Sequence, residues 1–129
     1  MFDLANILWH VGALYRQQAR HAEAEEYLKQ AIEAFQKIEG PDGQVQVECL
    51  EDLAGCYSDQ KRYAEAVPLF KRALANLERN GGTDTLTAVY LLEKQAAALR
   101  GLGRVDEAIG LEARAKTIRQ ARQSGDQTP

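Results

Sequence analysis

Apolar residues recur along this chain every three or four positions, the period of helices that each bury one face. Leu50, Leu53, Ala54 and Tyr57 make one such stripe, Leu92, Ala96 and Leu99 a second, and Ala66, Phe70 and Ala73 a third. The pattern predicts six helices in three pairs. The first helix of each pair spans 3–18, 44–59 or 85–101, and the second spans 21–38, 62–79 or 104–122. Turn signals separate the pairs: Gly40-Pro41-Asp42-Gly43, then Asn80-Gly81-Gly82-Thr83-Asp84. Asp42 and either Thr83 or Asp84 are the expected N-caps, and Gly103 suits a left-handed helix exit. Pro68 is expected near the first turn of its helix, where a missing N–H costs least. Residues 124–129 read as a frayed tail.

The three pairs are copies of one unit. HAEAEEYLKQA (21–31), YAEAVPLFKRA (63–73) and VDEAIGLEARA (105–115) align at two successive offsets of 42 residues. Glu23, Glu65 and Glu107 coincide, as do Ala24, Ala66 and Ala108, and then Ala31, Ala73 and Ala115. Upstream, Leu8, Leu50 and Leu92 align, followed by Gly12, Ala54 and Ala96, then Tyr15, Tyr57 and Leu99, then Arg20, Arg62 and Arg104. Leu28 and Phe70 match as large apolar residues, whereas the third unit carries Glu112 there. The small residues allow helices to approach closely, and the large ones fill the space around them. A single unit cannot bury its apolar face alone, so the units must stack. The expected organisation is one domain over 1–123, with units 3–40, 44–82 and 85–122 and the tail beyond.

Composition narrows the picture. The 129 residues are 45% hydrophobic and 27% charged, as in an ordinary globular domain. The net charge of −3 (16 basic against 19 acidic residues) argues against a nucleic-acid partner. No apolar run nears the roughly 18 residues that span a bilayer, and no signal peptide is visible, so the expectation is no membrane and a cytoplasmic setting. Cys49 and Cys56 lie two helical turns apart, too far for a disulfide, and read as small buried residues. No catalytic motif is present: there is no HExxH, CxxC or P-loop, and the two histidines, His10 and His21, fall on different helices. The expectation is no enzyme, no cofactor and no metal.

The stretches Leu8…Gly12-x2-Tyr15…Ala24-x3-Leu28-x2-Ala31 and Leu50-x2-Leu53-Ala54-x2-Tyr57…Ala66-x3-Phe70-x2-Ala73 resemble the tetratricopeptide (TPR) repeat. Leu92, Ala96, Leu99, Ala108 and Ala115 extend the likeness to the third unit, and so over residues 4–122. The unit here is 42 residues instead of the usual 34, and Gln36, Glu78 and Gln120 stand where that repeat ends its second helix with proline. The longer unit is similar to the kinesin-light-chain variant, on Tyr57-Ser-Asp-Gln60-Lys-Arg62-Tyr63-Ala-Glu65-Ala66-Val-Pro68-Leu69-Phe70-Lys71-Arg72-Ala73-Leu74 and Gly40-Pro41-Asp42. The resemblance implies an all-α fold: an α-solenoid of three helix-turn-helix units, six antiparallel helices wound in a right-handed superhelix. It implies a module that binds a peptide or protein in a concave groove lined by the first helices.

On each first helix, the stripe opposite the core is where such a groove would lie. In the first unit it holds Asn6, Trp9, His10, Ala13, Arg16 and Gln17. In the second it holds Glu48, Glu51, Asp52, Gly55, Ser58 and Asp59, and in the third Tyr90, Glu93, Lys94, Ala97, Arg100 and Gly101. Ala13, Gly55 and Ala97 are equivalent and small, which predicts an open centre. Trp9 and Tyr90 are the candidate apolar anchors. Six acids and no basic residue occur from Glu39 to Gln60, four of them on this stripe. With Arg16, Lys94 and Arg100 as flanks, the acidic centre favours a partner with a basic middle segment. The Lys/Asn/Arg set of carboxylate-clamp TPRs is replaced by Trp9, Ala13, Glu51, Gly55, Glu93 and Ala97, so that ligand is not implied. The backbone-holding asparagines of kinesin light chain are missing at Trp9-His10, Glu51-Asp52 and Glu93-Lys94. The alternative reading is a self-associating scaffold that uses its terminal helices, with Phe2 (outside the residues described below) and Leu4 at one end and Val105, Ile109, Leu111 and Ile118 partly exposed at the other, next to the basic run Arg114, Lys116, Arg119 and Arg122.

Overall fold

A computed structural model of the chain describes residues 3–40, 43–83 and 85–126. Among the described residues there are six helices and no strand: α1 (Asp3–Gln17), α2 (His21–Glu39), α3 (Gln46–Asp59), α4 (Tyr63–Arg79), α5 (Leu86–Gly101) and α6 (Val105–Asp126). Residues rich in Ala, Leu, Glu, Gln and Lys favour these helices locally, and their apolar faces fix how they pair. Within units α1 packs on α2, α3 on α4 and α5 on α6, while α2 meets α3 and α4 meets α5 between units. The result is an α-solenoid of three stacked pairs.

The repeated small residues sit where the helices are tightest. Ala24, Ala66 and Ala108 are fully buried, as are Ala31, Ala73, Ala54 and Ala96. At Gly12 an added Cβ would fall 2.7 Å from Leu28 Cγ and 3.1 Å from the Leu28 backbone nitrogen, so this crossing tolerates no side chain. Phe35, Phe70, Leu28, Leu50 and Leu92 fill the core around these contacts, with Leu8 and Tyr15 half-buried at its edge.

The turns inside the three units are alike. Ala19, Lys61 and Gly103, again 42 residues apart, all have positive φ (59°, 61° and 78°). The next N–H in each case reaches back five residues: Arg20 to Tyr15 O, Arg62 to Tyr57 O and Arg104 to Leu99 O, each at 2.9 Å. These are Schellman closures, which satisfy the last carbonyls of the first helix. The arginine then opens the second helix and pairs with the glutamate three residues on, as Arg20–Glu23, Arg62–Glu65 and Arg104–Glu107.

Several local expectations change. Thr85 caps α5, its hydroxyl accepting from Ala88 N at 3.2 Å, in place of Thr83; Asp42 and Asp84 lie outside the described residues. The α3 start is capped from another helix: Glu39, the last residue of α2, accepts from Val45 N at 3.4 Å and Gln46 N at 3.1 Å. Gly43 leaves room for that carboxylate, since an added Cβ would lie 2.0 Å from Glu39 Cδ. Pro68 is the sixth residue of α4, in its second turn, so Ala64 O loses its helical donor; both residues are exposed, which lets water take that place. Finally, α6 runs as helix to Asp126, past the expected end at 122, and residues 127–129 of the expected tail lie outside the described residues.

Candidate functional site

The α1, α3 and α5 helices share one polar face, and Arg16 is its hub. Arg16 Nε donates to Asp59 Oδ2 at 3.0 Å and Arg16 Nη1 to Asp52 Oδ1 at 3.3 Å, while Trp9 Nε1 donates to Asp52 Oδ2 at 2.6 Å. Burial alone would lower the Arg16 pKa; the hydrogen bond and charge of Asp59 and the charge of Asp52 more than reverse it. Arg16 was expected to flank an acidic centre. It sits inside that centre instead, and neutralises part of it.

Gly55 has a different task from the one its size suggests. A Cβ there would fall 2.3 Å from Arg16 Nη2, so the glycine makes room for the guanidinium and is itself buried. The three small positions therefore do not form one open channel. Ala13 is half-buried beside Arg16, Gln17, Asp52 and Asp59 in a depression of about 300 Å³, whereas Ala97 is exposed on α5.

The α5 residues divide into two sets. Tyr90 and Glu51 of α3 line the same small cavity, and Lys94 Nζ lies 5.2 Å from the centroid of the Tyr90 ring. Burial, and then the charge of Asp52, push the Glu51 carboxyl above its ordinary value, against the opposing influence of Tyr90. Glu51, Tyr90, Lys94, Arg16 and Asp59 all line one small cavity, which brings the three first helices together. Glu93 and Arg100 instead engage α6: Arg119 Nη2 donates to Glu93 Oε1 at 2.6 Å, and Arg100 Nε and Nη2 donate to Glu112 at 3.0 and 2.6 Å. Asn6 is half-buried, and its carbonyl lies 2.6 Å from His10 Nδ1.

A second depression of about 300 Å³ joins Trp9 to the start of α3 and α5. Val45, Val47 and Leu77 give it apolar walls, Gln44 and Thr87 complete them, and the exposed Glu48 stands at its edge. Apart from Trp9 and Glu48, these residues lie off the three stripes, because they come from the ends of different elements. The thiols play no part here. Cys49 and Cys56 are buried and unbridged, and burial, helped by Asp52, pushes the Cys49 thiol up to about 12. Among the described residues no cluster of His, Cys, Asp and Glu could hold a metal, and no helix is long and apolar enough to cross a membrane.

The sequence profile of the tetratricopeptide repeat matches residues 3–79, more than half of the chain. The chain belongs to the tetratricopeptide repeat family. The matched part of this TPR chain ends with the second unit, and the third departs from the pattern where Glu112 replaces a large apolar residue. Among solved structures, the chain is similar to BtubC (BKLC) from P. vanneervenii, with a TM-score of 0.87 and 24% identity over 92% of this chain and 48% of that one. It is also similar to a Podosopora anserina putative kinesin light chain with nearly identical TPR-like repeats, with a TM-score of 0.79 and 20% identity over 93% and 57% of the two chains. This TPR chain thus spans about half the length of both. At such identities the likeness is one of fold. No curated protein matches it.

Proposed function

We propose that this chain is a non-catalytic protein-interaction module that holds a peptide segment on the α1–α3–α5 face. The family supports a protein partner in general. The observation that carries the finer reading is the depression between Trp9, Val45, Val47, Leu77 and Thr87 with Glu48 on its rim. It offers an apolar socket next to an exposed carboxylate, so the fitting segment carries a buried apolar side chain and a Lys or Arg close by. Because Arg16 already neutralises part of the acidic centre, one or two cations suit the face better than a long basic run.

Selection of displayed random peptides against the whole chain tests this. The expected ligands pair an apolar residue with a nearby cation. Their binding should fall at least ~10-fold, or about 1.4 kcal/mol, in Glu48→Lys and in Trp9→Ala while far-UV helicity is kept. Ligands indifferent to both substitutions would place the contact elsewhere.

A further inference from the structure

The 42-residue phase allows the same face of each unit to be compared. On α3, Gln46, Cys49 and Cys56 point at the preceding second helix. Gln46 Nε2 donates to Gly40 O, while Cys49 Sγ and Cys56 Sγ donate to Leu28 O and His21 O of α2 at 3.7 Å each. Their counterparts on α5, which packs on α4, are Ala88, Leu91 and Ala98. Five of these six residues are 0% exposed and Ala98 is 1% exposed. On α1 the same three positions hold Leu4, Ile7 and Leu14, which are 64%, 58% and 56% exposed. With Val11 they form a seam spaced 3-4-3, the interval at which one helix meets another. Beside the seam lies a depression of about 420 Å³ between α1 and α2, with Leu4, Ala5, Leu8, Ala34 and Ile38 as its apolar lining and Gln30, Glu33 and Lys37 as its polar one.

The far end of the stack differs. The α2 and α4 helices carry buried apolar residues at Leu28, Ile32 and Phe35 and at Phe70, Leu74 and Leu77. Phe70 and Leu77 share cavities with Tyr90 and Thr87 of the following α5. The counterparts on α6 are Glu112, Lys116 and Arg119, and Glu112 and Arg119 are paired to Arg100 and Glu93. Stacking α6 of one copy on α1 of another would strip water from these charges against leucine and isoleucine, which is unfavourable.

We propose that the α1 end face is a docking surface for an amphipathic helix of the α2/α4 kind, contributed by a further repeat unit. Such a helix presents large apolar residues at i, i+4 and i+7, the spacing of Leu28, Ile32 and Phe35 and of Phe70, Leu74 and Leu77. The chain already fills the equivalent face twice with helices of this pattern, and that continuity identifies the occupant. An acidic residue at its C-terminal end would meet the first amides of α1 as Glu39 meets those of α3. This surface is separate from the α1–α3–α5 face.

A fluorescein-labelled peptide with the sequence of residues 62–82 is a suitable probe, titrated with the whole chain and read by anisotropy. Saturable binding is expected. It should weaken at least ~10-fold when the chain carries Ile7→Glu with Leu14→Lys, and likewise when the peptide carries Phe70→Asp with Leu77→Asp. The chain substitutions fall on exposed positions, and circular dichroism verifies that they fold. Glu48→Lys should leave this binding unchanged, so a failure here is distinct from a failure on the other face. No saturation below ~1 mM, or equal binding by the Ile7/Leu14 variant, overturns the proposal. A wild-type dimer in sedimentation that the same variant dissociates also overturns it, by making a second copy the occupant.

Discussion

Ala19, Lys61 and Gly103 hold the same left-handed backbone at the same point of three units, and only the glycine adopts it without strain. For an L-residue with a Cβ that conformation costs about 1–2 kcal/mol, more than the roughly 0.5–1 kcal/mol of extra chain entropy that a glycine loses on folding. Lys61→Gly and Ala19→Gly should therefore each stabilise the protein by about 0.5–1 kcal/mol, and Gly103→Ala should destabilise it by a similar amount. Midpoints of urea unfolding decide this, and a lower midpoint for Lys61→Gly would refute it. Gly103 is legible as a turn residue because glycine announces it. Ala19 and Lys61 are not, since nothing in their chemistry asks for positive φ; only the 42-residue phase connects them. Gly55 teaches the reverse lesson. Its smallness is legible, but its purpose depends on Arg16, a residue 39 positions away whose reach no periodicity describes.

At the scale of the element, helix spans follow from apolar spacing to within a few residues, while the ends depend on partners. The α3 helix begins at Gln46, two residues after the expected start, and a capping oxygen comes from Glu39 of α2. Glu39 is poorly placed for its own helix, whose C-terminus already carries partial negative charge, but well placed for the N-terminus of the next. Glu39→Ala should thus cost about 1 kcal/mol, from a lost cap and a lost charge–dipole contact together, and should loosen the α2–α3 joint. Thermal melts give the loss, and amide exchange of Val45 and Gln46 locates it. Unchanged protection at those two amides would show that the carboxylate does not cap α3. The α5 start shows the same limit, because choosing between neighbouring polar residues as caps is settled by backbone geometry, and Thr85 has it.

Across the whole molecule, each unit contacts only its neighbours, so stability is close to a sum of unit and interface contributions. The middle unit is covered on both sides; α1 leaves its outer seam to solvent and α6 is largely exposed. Native-state hydrogen exchange should find the slowest amides in α3 and α4, and the fastest helical amides in the first turn of α1 and the last turns of α6. Uniform protection along the chain would mean that the stack opens as one cooperative block. The two ends also differ in kind. Partial apolar exposure is expected at both, and Val105, Ile109 and, less so, Leu111 show it, but Ile118 is buried and the α6 positions that continue the stacking stripe are charged.

The sequence by itself determined the repeat, its 42-residue period, the pairing of helices and the residues of the core. These follow from local periodicity and from volume, and every copy restates them. Only the tertiary structure decided what the long polar side chains do. Arg16, Asp52, Asp59 and Trp9 share one helical stripe pattern with Glu48 and Ala97, but their reach across helices ties the first four into a network, while Glu48 and Ala97 stay exposed. Periodicity gives the direction in which a side chain leaves its helix. It does not give the neighbour met at the end of a flexible chain, and on this face that neighbour decides which side chains are tied across helices and which stay exposed.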